Sequence, residues 1–358
     1  MSKTYPFEVD ELFQLNLLLW LVWSSRASGI KPIFREDGFE LMAIGPSLKP
    51  TLRVFALASE GKVSFKTQAK PDILLRHNSQ LLFLPIECKL NSFGPDSDTA
   101  DQANVLLTVR GLDIASSSGL PKAERWKSFL IYTLSKNTEK MKDTLDTLSG
   151  RIEAVGLSAV PSGTISITIS SDGVYLHALP CTDFPVSSLN SLDPSFSVRV
   201  MELDEGDDPR PFYLIPVDPS VTLNNPLGIR LLEERIRVAT VSVFGSRLDS
   251  AEFEVSEDEF MSEVLEIWDY WKDKSARTGL LRQASRPYLN KILQEMRNRG
   301  AKITQKQRIF RFSGITSTVA KNIRSYLTST SFRKGDVNFV ENLKQLSFED
   351  LPEGWVIE

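Results

Sequence analysis

The sequence predicts an α/β domain, built as a mixed sheet flanked by helices, followed by a mainly helical C-terminal domain. Three observations lead there. Apolar segments of strand length follow one another between residues 39 and 90, ending in QLLFLPIECK. Segments with helical spacing stand on either side of them. The last hundred or so residues lack strand-like alternation over most of their length and carry a concentrated positive charge. A chain of 358 residues has room for two or three such units.

Thr4 can cap a first helix with Pro6 in its first turn, running to about Ser25. Its run LFQLNLLLWLVW (Leu12–Trp23) is too short to span a bilayer, and Gln14 and Asn16 interrupt it. Glu8, Asp10 and Glu11 precede it where a signal peptide would be basic. A buried helix is expected, and no membrane partner. Strand-like FELMAIG, RVFALAS, KVSFKTQ, DILLRH and QLLFLPIECK follow, then a polar loop and the helical DQANVLLTVRGLDIA. KSFLIYTL is a compact strand and KMKDTLDTLSGRIEAVG a helix. TISITISSDGVYLHAL is a hairpin turning at Asp172-Gly173. From Pro180 to about Leu227 the chain is rich in Pro, Ser and Asp. GIRLLEERIRVATVSVF reads as a helix, and the acidic SAEFEVSEDEF marks a boundary. The expected division is residues 1–180, an acidic middle segment 181–255, and a basic helical domain 256–358.

Two cysteines, Cys88 and Cys181, make no disulfide framework and no zinc constellation, which points to a reducing, cytoplasmic setting. Cys88 reads as a small core residue. His77 and His177 are assigned no role.

The apolar strand LLFLPI ends in Glu87, Cys88 and Lys89, and Asp72 opens the strand before it. With the turn at Asn78-Ser79, Asp72 falls opposite Pro85. Alternation then puts Asp72, Glu87 and Lys89 on one face and Cys88 on the other. The carboxylates lie diagonally across the pair, near enough to share a divalent cation, and few carboxylates plus water suit Mg²⁺. Lys89 beside it can steady charge developing on a phosphate. Pro85 points to a bulge or an unpaired position. The plainer alternative is an exposed ion pair worth less than about 1 kcal/mol.

Pro71-Asp72 and Glu87-Cys88-Lys89 resemble the PD-(D/E)xK nuclease superfamily, which has the restriction-endonuclease-like fold. The resemblance covers roughly residues 1–135. It implies that Asp72 and Glu87 bind Mg²⁺ or Mn²⁺ and that Lys89 is catalytic. It also implies an acidic residue from the first helix, for which Glu11 and Glu8 are candidates, and a Gln on the helix after the lysine strand, for which Gln102 is placed. The activity implied is metal-dependent endonucleolytic hydrolysis of DNA, in restriction, antiviral defence or mobile-element processing. Two alternatives stay open: a non-catalytic nucleic-acid-binding subunit with a nuclease-like scaffold, and a Tn7-type transposase end-cleaving subunit. Double-strand cutting would call for a homodimer or a larger defence or transposition complex.

The chain carries a net charge of -4, yet sixteen Lys or Arg lie between Lys272 and Lys334 with only Asp273 and Glu295 among them. Such a surplus indicates a polyanionic partner, most simply double-stranded DNA. The expected order there is a short helix ARTGLLRQ, a turn, a second helix capped by Ser285 with Pro287 in its first turn and ended by Gly300, and one strand, KITQKQRIFRF. This resembles a winged helix-turn-helix. Arg286, Lys291, Arg297, Arg299, Lys306 and Arg308 are the expected nucleic-acid contacts.

Overall fold

A computed structural model of the chain describes residues 9–23, 30–49, 67–180, 183–203, 213–218, 226–271 and 277–334. They group into two compact units: residues 1–207 with 270–273, and residues 208–269 with 274–358.

The first unit opens with α1 (Glu11–Val22), α2 (Ile33–Glu36), β1 (Glu40–Ile44), β2 (Ile73–His77) and β3 (Leu82–Lys89). α3 (Asp98–Thr108), α4 (Gly111–Ser117), β4 (Lys127–Ser128), β5 (Leu130–Leu134) and α5 (Thr138–Ala154) follow. β6 (Ser162–Ser170), β7 (Gly173–Leu179) and β8 (Val198–Glu202) complete it. The strands form one sheet in the order β1-β2-β3-β5-β6-β7-β8, with β4 beside β3. β3–β5 and β5–β6 run parallel, and the pairs toward both edges are antiparallel. The class is α/β, with a mixed sheet flanked by helices, as expected.

α1 is apolar nearly all round, and nine of its twelve residues are buried. That is the pattern of a core helix rather than a surface one. Among the described residues no helix is long and apolar enough to cross a membrane. Thr4, Pro6 and Glu8 lie outside the described residues. The cap seen is Asp10, whose carboxylate accepts the Phe13 N–H at 2.6 Å. α3, α4 and α5 bury Leu106, Ile114, Leu145 and Leu148 in one cluster with Phe83 and Tyr132 of the sheet. The expected single helix over DQANVLLTVRGLDIA is two, because Arg110 is extended and its N–H is taken by Asp113 at 3.0 Å. Gly111 allows that break: a Cβ there would stand 2.3 Å from the Trp126 carbonyl oxygen. RVFALAS and most of KVSFKTQ fall outside the described residues.

The β2–β3 hairpin departs from the expected register. Its loop spans four residues, 78–81, with Leu81 at φ 52°, so His77 pairs Leu82 and Ile73 pairs Ile86. The shift is by an even number of positions, so every side chain keeps its face. Asp72 thereby falls next to Glu87 rather than opposite Pro85. Pro85 sits where the parallel ladder is interrupted, between Phe83↔Ser128 and Ile86↔Ile131. The missing proline N–H falls at that gap.

The second unit contains α6 (Pro226–Ala239), β9 (Phe253–Ser256), α7 (Glu257–Val264), α8 (Arg277–Asn298), β10 (Lys302–Lys306), β11 (Ile309–Ser313), α9 (Ser317–Leu327) and α10 (Thr330–Lys334). β9, β10 and β11 form an antiparallel sheet in the order β10-β11-β9. Its core is aromatic: Phe253 stacks on Phe312 at 4.4 Å and Phe244 on Phe260 at 5.2 Å. Two expectations are corrected here. From Arg277 on, the expected short helix and the helix beyond it are one helix, α8, with Pro287 inside it. Ser285 is not a cap. It is buried and its hydroxyl donates to the Leu281 carbonyl at 2.8 Å, continuing the helix. KITQKQRIFRF is not one strand but a hairpin turning at Gln307-Arg308, with φ 50° and 64°. These angles belong to the two-residue turn usually marked by Asn-Gly, and its absence hid the turn. Gly300 does end α8: its N–H and that of Ala301 bond the Arg297 and Met296 carbonyls.

Gln14 ties α1 to the sheet, with Nε2 donating to the Lys89 carbonyl at 2.9 Å and Oε1 accepting from Thr133 Oγ1 at 2.9 Å. Gln14→Leu is expected to destabilise the chain by about 2 kcal/mol, since two buried groups lose their partner. Urea unfolding measures it, and an unchanged midpoint would refute this role.

Candidate functional site

Three strands and two helices bring the charged residues together. The Asp72 carbonyl accepts the Gly45 N–H at 2.9 Å, which fastens the start of β2 to the end of β1. The Asp72 carboxylate accepts the Cys88 backbone N–H at 2.8 Å. One strand end thus holds the other by a charge-assisted bond. Glu87 pairs with Tyr132 of β5 in the ladder and is 3 % exposed; Asp72 is 8 % exposed. Glu87 Oε1 accepts from Lys89 Nζ at 2.6 Å and from Gln102 Nε2 at 3.0 Å. Gln102, one turn into α3, also reaches the Lys70 carbonyl at 3.5 Å. Glu87, Lys89 and Gln102 therefore share one hydrogen-bonded cluster, and Asp72 is tied to the same strand end through the Cys88 N–H. Glu11 is exposed at the start of α1, and its field acts on both Lys89 and Cys88.

Burial pulls the Lys89 ammonium toward neutrality, but Glu87, then Asp72 and Glu11, outweigh it, and its pKa ends above the ordinary lysine value. Lys89 stays charged at neutral pH. Burial pushes the Cys88 thiol well up, with Asp72 adding to it, and Tyr132 is raised by burial and by Glu87. Neither is an acid or a nucleophile near neutrality. Cys88 is a core residue, 1 % exposed, as expected.

Among the described residues no group of three or more His, Cys, Asp or Glu is placed to hold a metal ion. Asp72 and Glu87 are the oxygen donors the site offers. Three carboxylates act on a single ammonium, so the local charge is negative, and that fits a divalent cation retaining most of its water.

Gln14 is the positioning residue that inspection of the motif missed. It fixes the backbone of Lys89 from α1. Its signal was an amide inside an otherwise apolar run.

In the second unit the six basic residues are not equivalent. Arg286 is exposed, with Nε 4.0 Å from Glu257. Lys291, Lys306 and Arg308 are exposed, the last at the hairpin turn. Arg297 Nε donates to the Ile303 carbonyl at 3.2 Å. Arg299 pairs with Glu295 and lies over the Tyr326 ring at 4.1 Å. Arg299 thus serves α8 and its neighbour α9 before any ligand. On the buried face of α8, Arg282 is 2 % exposed and pairs with Glu257 and Asp258 of α7.

No family model, no curated protein and no solved structure matches this chain.

Removing Lys89 alone leaves a buried carboxylate uncompensated. Lys89→Met is expected to destabilise the chain by about 3 kcal/mol. Adding Glu87→Gln should recover most of that loss, because both charges then go together. A double-mutant cycle in urea measures the coupling. Additive losses would mean that the pair is not formed in solution.

Proposed function

We propose that the chain is a metal-dependent nuclease of the PD-(D/E)xK type that hydrolyses phosphodiester bonds in double-stranded DNA. One observation carries the reading: at one end of the sheet the buried Glu87 accepts from the half-buried Lys89 and Gln102, and the buried Asp72 is held beside them by the Cys88 N–H. The order of elements around them supports it. A helix, α1, precedes an antiparallel meander β1-β2-β3, and α3 then leads to β5, parallel to β3. That order agrees with a restriction-endonuclease-like core. In the second unit the order helix, strand, helix, helix, strand, strand, with β11 central in the sheet, agrees with a winged helix. The helix pair is then α7 and α8, and the wing is β10–β11.

Asp72 and Glu87 would hold Mg²⁺ or Mn²⁺, which supplies an acidified water and polarises the scissile phosphate. The Cys88 N–H fixes the Asp72 carboxylate, and Gln102 orients Glu87. Lys89, charged at neutral pH, neutralises the charge that builds on the phosphate. Gln14 holds the backbone from which Lys89 projects, so the ammonium enters at a set position. Arg286, Lys291, Lys306 and Arg308 supply phosphate contacts from the second unit. With one such site per chain, cutting both strands calls for two copies, as in restriction, defence or mobile-element complexes.

A second reading has two observations in its favour. Lys89 engages Glu87 directly, and among the described residues no third His, Cys, Asp or Glu is placed with the two carboxylates to hold a metal ion. A binding subunit that keeps a nuclease-like scaffold would look the same.

Purified protein incubated with plasmid and Mg²⁺ or Mn²⁺ separates the two. Asp72→Ala, Glu87→Ala and Lys89→Ala are each expected to lower cleavage by about a hundredfold or more, and Gln102→Ala by about tenfold. Glu11→Ala should reduce cleavage less than loss of Asp72 or Glu87. Wild-type cleavage by Glu87→Ala would remove the site assignment, and an inert wild type would favour the scaffold.

A further inference from the structure

The face of α8 turned away from the second unit's core carries three exposed carboxamides, Asn290, Gln294 and Asn298. They stand four residues apart, so successive members are offset by about 40° and rise about 6 Å along the helix. Arg297 stands on one flank of this stripe and Lys291 on the other, and Arg286 heads the row four residues before Asn290. The amides are linked: Gln294 Nε2 donates to Asn298 Oδ1 at 3.1 Å, and Arg297 Nη1 to Gln294 Oε1 at 3.4 Å. Helix stability does not account for Asn290 and Asn298, since Asn is a weak helix former. No carboxylate interrupts the stripe. Glu295 lies off it and is engaged by Arg299.

We infer that this stripe reads adenine in the major groove of duplex DNA. The inference rests on the proposed duplex-binding role of α8 and adds the base it recognises. A carboxamide both donates and accepts, and matches adenine N6 and N7 in a bidentate pair; guanine is the partner of Arg or Lys. Lys291 and Arg297 sit on the flanks, where a groove presents phosphates, and the amides in the middle, where it presents base edges. A 6 Å rise is close to two base-pair steps of about 3.4 Å, so Asn290 and Gln294 address bases roughly two apart. The RNA major groove is too deep and narrow for side chains to read, which makes B-form DNA the matching duplex.

Selection of the full chain on a random duplex DNA library, in buffer without divalent cation, tests this. The enriched sequences are expected to share at least two adenines within a few base pairs. Replacing those adenines by 7-deazaadenine, which lacks N7, should weaken binding about tenfold. Asn290→Ala and Gln294→Ala should each bring the ratio of affinities for selected over random duplex toward one, with circular dichroism reporting that the fold is kept. Duplex RNA of the same sequence should compete poorly. Tight DNA binding with no base preference, a guanine motif, or equal competition by duplex RNA would overturn the adenine reading while leaving nucleic-acid binding in place. Failure to bind any duplex would overturn both.

Discussion

A carboxylate buried on an apolar sheet needs partners, and the site is arranged around supplying them to Glu87. An unpaired buried charge costs several kcal/mol, more than any single surface contact returns. Lys89, two residues on along the same strand, gives the counter-charge, and α3 gives the Gln102 amide. These partners hold only if β3 ends where it does. Asp72 secures that end through the Cys88 N–H, and Gln14 secures it through the Lys89 carbonyl. The polar residues on α1, β2, β3 and α3 are therefore one mechanical unit. A protein selected only for stability has little use for such a group, because an apolar replacement of similar volume is often as stable. The arrangement makes sense if the carboxylates are needed for something else.

The sequence made the site residues legible because charges at the tip of LLFLPI are out of place in a core strand. The α/β class and the long helix α5 followed from periodicity in the same way. The hairpin register did not. The left-handed position of the four-residue loop is Leu81, where no Gly or Asn announces it, whereas Asn78-Ser79 looked like the turn. The error left the chemistry unharmed because it was even, and strand faces repeat every two residues. Ser285 and Pro287 together imitate the start of a helix, yet Ser285 is buried and bonds back to Leu281 within α8. The Gln307-Arg308 turn hid for want of a turn residue. Local signals lost at these points to tertiary packing.

In the basic C-terminal region a charge count overstates the number of cations available to a ligand. Arg282 is sealed in the core against Glu257, and Arg299 braces α8 against Tyr326. The remaining cations stand on the flanks of α8 and at the β10–β11 turn. Charge attracts a polyanion without choosing among sequences, and choice has to come from neutral donors and acceptors. The amide stripe of α8 is where the second unit offers them.

The central claim is that Asp72 and Glu87 together hold a divalent cation. Anomalous diffraction from crystals of the full chain grown with Mn²⁺ tests it most directly. The account predicts a single strong peak about 2.1 Å from an oxygen of each carboxylate, absent in crystals of Asp72→Asn. A peak held elsewhere, or the same peak in Asp72→Asn, would contradict it.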